Sequence, residues 1–263
     1  MFTQSAKIRT LGIQFSTLPM HTRFPFQYGI ASMTELPHLI VRVDLEIDKE
    51  RATGIASEGL PPKWFTKNPN TTFEEQDLPD MLKVIHRAAD FLQEETEALP
   101  FFDLWQSLYK KQMAWAAVNK IPPLLASLGA SLMERALLDG LCRHTGRPLH
   151  TLIDEIIDLG AIHPELSGQK PSDFLSAPVS ELIARHTVGL GDPLDASDVT
   201  PENTVIDGLP YTLEECIEEY GLTHFKVKLC GEFDRDASRL QRLATLFEEK
   251  APAGYQFTLD GNE

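Results

Sequence analysis

The chain has 263 residues, 42% of them apolar and 24% charged, with a formal net charge of −15. That composition describes an ordinary soluble globular protein, long enough to bury one or two cores. The charge is uneven: residues 1–150 hold 16 basic against 17 acidic side chains, and residues 151–263 hold 8 against 22. So acidic a surface argues against nucleic acid and anionic membranes as partners, because both need a basic face. Cys142, Cys216 and Cys230 are odd in number, widely spaced and outside any zinc or CxxC pattern. Residues 1–7 start no basic-then-apolar leader and no eighteen apolar residues run together, so a cytoplasmic protein is expected.

Alternation of apolar and polar residues predicts strands over 6–18, 37–47 and 51–58, the last two joined as a hairpin by the tight link 48–50. Helical spacing follows over 73–98, at Leu78, Met81, Leu82, Ile85, Ala88, Ala89 and Leu92, and continues over 101–118 and 123–144. Gly146 and Pro148 supply a stop signal. Residues 1–150 therefore read as an α+β domain, a three-stranded sheet and then helices. After a loop-like stretch over 164–178 the rhythm changes. Short strands over 186–190, 223–229 and 255–260 alternate with helices over 212–220 and 232–250. That alternation implies parallel β/α units.

The segment Thr223-His224-Phe225-Lys226-Val227-Lys228-Leu229 carries the chemistry. On a strand, residues two apart share a face, so His224, Lys226 and Lys228 point one way and Phe225, Val227 and Leu229 the other. The apolar trio suits helices, which leaves two lysines on the opposite side, the interior of a closed parallel barrel. The next strand ends in Asp260-Gly261-Asn262, one βαβ unit further on. Alone, Lys-Val-Lys reads as a solvated edge strand and Asp-Gly-Asn as a turn. Placed one unit apart, they read as an active site. His224 lies deeper on the same face and reads as a hydrogen-bonded structural histidine. Gly189-Leu190-Gly191 lacks the third glycine and the helix that a dinucleotide loop needs.

With both motifs in place, and with Ala-Leu-Leu-Asp-Gly-Leu over 136–141 followed by Gly146-Arg147-Pro148-Leu149, the chain resembles the enolase superfamily. The likeness is to the mandelate racemase and muconate-lactonising enzyme group, and it covers essentially the whole chain as the N-terminal portion of a member. The resemblance implies an α+β capping domain over 1–150, followed over 151–263 by the first strands of an incomplete (β/α)8 barrel, truncated after the third strand. It also implies abstraction of the proton α to a carboxylate, with magnesium holding the enolate. In the family pattern Lys228 is the base. Lys226 lies near the substrate carboxylate and, by like-charge repulsion, keeps its neighbour available as a neutral amine. Asp260 matches the first metal ligand, with Asn262 assisting.

Two aromatic, proline-stiffened stretches match the loops that such enzymes close over the substrate. The candidates there are Arg23, Phe24, Phe26 and Tyr28 in the first, and Lys63 and Trp64 in the second; a hydrophobic contact between domains is the plainer alternative. The expected partner is a small-molecule carboxylate, with homo-oligomerisation left open. The reaction would be that of a racemase, epimerase, cycloisomerase or acid-sugar dehydratase. Further metal ligands and the opposite acid/base residue are expected beyond Glu263, so the 263-residue chain is expected to lack turnover and to bind magnesium weakly. Two other readings compete: a non-catalytic fragment that binds or dimerises, and a metal-free Schiff-base lyase using one desolvated lysine.

Overall fold

The N-terminal alternation folds as three long antiparallel strands, β1 (Lys7–Tyr28), β2 (Ala31–Ile47) and β3 (Glu50–Gly59). The computed structural model describes residues 6–201 and 204–261. A two-residue strand, β4 (Leu99–Pro100), pairs with Lys7 and Ile8 and completes the order β3-β2-β1-β4. The β2–β3 hairpin turns through Asp48 and Lys49, with φ of 49° and 74°. Two left-handed residues in succession make the turn that matches the twist of paired strands. β1 and β2 run past their expected limits, because alternation continues through Phe24, Phe26 and Tyr28. Pro19 and Pro25 are tolerated in β1, whose β4 side is paired only at Lys7 and Ile8 among the described residues.

Leu39, Val41, Val43, Leu45 and Ile47 of β2 face one way, into a core closed by three helices. These are α1 (Leu78–Glu94), α2 (Phe101–Val118) and α3 (Pro123–Thr145). The single helix expected over 73–98 starts instead with a π-helical turn, Phe73–Asp77, capped by a reciprocal Thr72–Glu75 pair. Pro79 has no amide to give the Glu75 carbonyl, so the α pattern does not run back through this turn, and α1 begins at Leu78 with Pro79 in its first turn. Helix α3 lies against β3 at backbone distance. A Cβ on Gly54 would stand 1.9 Å from the Ala136 carbonyl oxygen, and one on Gly129 2.2 Å from that of Val84. The expected stop is present, with Gly146 left-handed at φ +64°.

Two short helices, α4 (Leu149–Ile156) and α5 (Leu159–Ile162), follow where no element was expected. Leu152 and Ile156 of α4 bury themselves in the same core. By contacts the chain forms two compact units, Met1–Met20 with Leu36–Pro178, and His21–Glu35 with Val179–Glu263. By this measure the units divide near 178, and the tip of the β1–β2 hairpin groups with the second.

The second unit alternates strand and helix: β5 (Arg185–Val188), α6 (Leu213–Tyr220), β6 (His224–Lys228), α7 (Phe233–Lys250) and β7 (Gln256–Asp260). The strands are parallel, in the order β5-β6-β7. Helix α6 starts on a Thr212–Glu215 capping box and stops at Gly221, φ +59°. Val188, Phe225 and Val227 pack against Leu213, Ile217, Leu243, Leu246 and Phe247 to form a small core. Among the described residues this partial parallel layer is the extent of the barrel-like structure. No helix of the described chain is long and apolar enough to cross a membrane.

Candidate active site

Alternation along β6 decides which side chains meet. Phe225 and Val227 are fully buried on the helix side, so Lys226 and Lys228 project from the other face. Parallel register then sets their neighbours. Thr187, Lys226 and Thr258 lie level across the three strands, and Lys228 lies level with Asp260. Both lysine Nζ atoms stand 2.7 Å from the same atom, Asp260 Oδ2. The Lys228 side chain is 7% exposed against 32% for Lys226, and an ammonium so buried needs a counter-charge at contact distance. The Leu229 amide donates to the Asp260 carbonyl at 2.9 Å, which carries the pairing past the strand end.

The cluster sits at the C-terminal end of a parallel sheet, where sites in α/β folds open. In the acidic half of the chain it gathers two cations around one carboxylate, an arrangement suited to anion binding and proton transfer. His224 lies on the same face nearer the strand start, its Nδ1 2.9 Å from Thr223 Oγ1. Asn262 lies outside the described residues. No group of three His, Cys, Asp or Glu side chains that could hold a metal occurs among the described residues. Magnesium demands near-octahedral oxygen ligation, and Asp260 is one ligand already held by two ammonium groups. The described residues alone therefore do not fit magnesium.

The other candidates divide between the units. Arg23, Phe24, Phe26 and Tyr28 lie on the hairpin tip in the second unit, on a strand and not on the expected loop. Arg23 is taken up by a fork to Asp207, with both N–O distances 2.6 Å. Lys63 and Trp64 lie in the first unit. Lys63 is folded inward: its Nζ donates to the Thr71 carbonyl at 2.6 Å and stands 3.1 Å from Asp77 Oδ2. Trp64 is half exposed.

Sequence reasoning missed the partners of Arg23 and Lys63, and also the loop after β5. There the Gly189 amide donates to Asp192 Oδ2 at 2.6 Å, and Arg239 binds the carbonyls of Gly189 and Asp192. A Cβ on Gly189 would meet the Asp192 carboxylate at 2.7 Å, so glycine permits the turn. Burial pushes the Asp192 carboxyl above the usual carboxylate range and His186 below the usual imidazole value. The only sequence signal for this loop is the Gly189-Leu190-Gly191-Asp192 string itself.

No protein-family model matches the chain, and no curated protein does. Solved structures do match. One is a mandelate racemase/muconate lactonizing protein from Herpetosiphon aurantiacus, with TM-score 0.59 and 16% identity over 97% of this chain and 53% of that one. Another is an enolase from Bradyrhizobium complexed with magnesium and mandelic acid, with TM-score 0.56 and 19% identity over 100% and 55%. A third is a substrate-liganded L-Ala-D/L-Glu epimerase from Bacillus subtilis, with TM-score 0.57 and 15% identity over 96% and 53%. At these identities the likeness is one of fold: the chain has the fold of structures described as mandelate racemase/muconate lactonizing and enolase proteins. It spans about half the length of the structures it matches.

Proposed function

We propose that this chain carries the base-bearing part of a site that removes the proton α to a carboxylate. One observation carries the reading: Lys226 and Lys228 project from one strand face and meet Asp260 at 2.7 Å at the strand ends. The fold likeness supports the reaction class, since one matched structure is an epimerase and another holds magnesium with mandelic acid. In this reading Lys228, as a neutral amine, takes the α-proton and becomes an ammonium, while the C–H electron pair passes into the enolate. Lys226 faces the carboxylate of a small-molecule substrate. Asp260 would contribute one ligand to a magnesium ion whose other oxygen ligands come from elsewhere, with Asn262 assisting. The hairpin tip is proposed as a wall of the site. Whether the product is a racemate, an epimer, a lactone or a dehydrated acid depends on the group opposite Lys228.

The test is exchange of the α-proton with solvent deuterium, in a protein joining this chain to the rest of such a barrel, on mandelate and dipeptide substrates. Removing a general base costs about 10²–10⁴-fold. Lys228→Ala should lose exchange from one enantiomer by that factor, and Lys226→Ala should weaken exchange from both. Exchange from both enantiomers at the parent rate in Lys228→Ala places the base elsewhere.

A second reading, an associating fragment without catalysis, has one observation in its favour. Phe257 and Leu259 of β7 are half exposed beside an apolar groove of about 220 Å³ bordered by Leu240, Ala244 and Phe247. Sedimentation of the 263-residue chain decides it, and a monomer at micromolar concentration excludes self-association as the role.

A further inference from the structure

The tip of the β1–β2 hairpin is joined to the loop ahead of α6 by one guanidinium. Arg23 Nε and Nη2 donate to Oδ2 and Oδ1 of Asp207, both at 2.6 Å. Its Nη1 donates to the Pro210 carbonyl at 2.6 Å and its Nη2 to that of Leu209 at 3.0 Å. Asp207 also accepts the Leu209 amide, which shapes the loop to receive the fork. Tyr211 follows, with its ring edge-on to Phe24 at 5.5 Å, and Thr212 then caps α6. On the other side of the tip, Gln27 lies so close to Gly191 that a Cβ there would meet its Cδ at 3.0 Å. Gly191 is three residues past the end of β5, next to the strand that ends in Lys228.

We propose that Arg23 fastens the hairpin tip to the loop ahead of α6, making the tip a fixed wall over the end of β5. The argument is one of strand physics. A two-stranded ribbon is at best marginally stable alone in water, so the order of residues 21–35 depends on what the tip is docked against. Phe24 contributes a ring contact and Tyr28 a buried ring, but the charge-assisted bonds converge on Arg23. A planar guanidinium serves a carboxylate and two carbonyls at once; an ammonium is a point charge and cannot hold the same fork. That the wall borders a catalytic site rests on the function proposed above. The fastening does not.

Hydrogen exchange followed by mass spectrometry on the 263-residue chain tests the fastening without any activity readout. In Arg23→Ala, amides of the tip, residues 21–31, should exchange about tenfold faster or more, while those of β6 keep the parent rate. Arg23→Lys should recover only part of the protection. Asp207→Asn keeps the two carbonyl bonds and should give a smaller rise than Arg23→Ala. Unchanged tip exchange in Arg23→Ala overturns the proposal. So does loss of protection across β6 and α7 in both Arg23→Ala and Asp207→Asn, because Arg23 would then hold the whole unit and not its tip. Exchange at the tip can change whether or not Lys228 proves to be a base, so the two readings fail separately.

Discussion

The two compact units each bury a lysine against an aspartate, and the two pairs are built differently. In the first unit Lys63 lies in the stretch after β3 and Asp77 ends the π-helical turn that leads into α1, with side chains 12% and 3% exposed. Thr71 gives Lys63 a carbonyl and a hydroxyl, and Thr66 donates to Asp77 Oδ1 at 2.8 Å. Lys63 adopts φ +53° to reach inward, a left-handed conformation that a side chain occupies only when its surroundings hold it there. In the second unit Lys228 meets an acid 32 residues away on the neighbouring strand, and it shares that acid with Lys226. The first pair ties a loop to the turn that starts the next helix. The second is made by sheet register at a strand end and joins two cations to one oxygen. Burial of a lysine is therefore by itself a poor sign of function; the two pairs differ in where the partner comes from and in whether it is shared.

The sharpest way to break this contrast is Lys63→Met. It leaves the buried Asp77 carboxylate without the Lys63 charge, and breaking a buried pair from one side costs about 3–5 kcal/mol. Urea unfolding followed by tryptophan fluorescence measures the change, and a loss under about 1 kcal/mol would remove the structural role assigned to Lys63. Lys228→Met should behave otherwise. Lys226 still neutralises Asp260, and replacing a buried ion by a hydrophobic side chain is often neutral or stabilising. Stability within about 1 kcal/mol of the parent is expected, on either side. A cost equal to that of Lys63→Met would make Lys228 a second brace.

The smallest effect lies in the pH response of the hairpin tip. The Arg23 hydrogen bond holds the Asp207 carboxyl below the usual carboxylate range. A carboxyl so lowered contributes its full stabilisation above its unfolded value, about 3.9, and loses it as pH falls through the lower folded value. Tip amides should therefore lose protection relative to those of β6 as pH falls through about 4 and below. A constant ratio between pH 6 and pH 3 would show that Phe24 and Tyr28 dock the tip without the fork.

The strands and helices of the first unit were legible because each is an amphipathic period with its own end signals. The β2–β3 turn and Gly146 announce themselves within a few residues. Legibility failed where one residue interrupts a period, as Pro79 does, or where alternation runs on through prolines, as in β1. It failed also for α4 and α5, which are too short for their period to stand out from a loop.

What the sequence determined at the site is that Lys226 and Lys228 share a face, since alternation is a property of one extended strand and needs no partner. Tertiary structure decided the rest. Parallel pairing of β6 with β7 brought Asp260 level with Lys228, while packing turned Lys63 inward to Asp77 and joined Arg23 to Asp207 across 184 residues. The physical reason is the same in each case. Periodicity is written along the chain, but a charge finds its counter-charge through space, and only the packed elements set that distance.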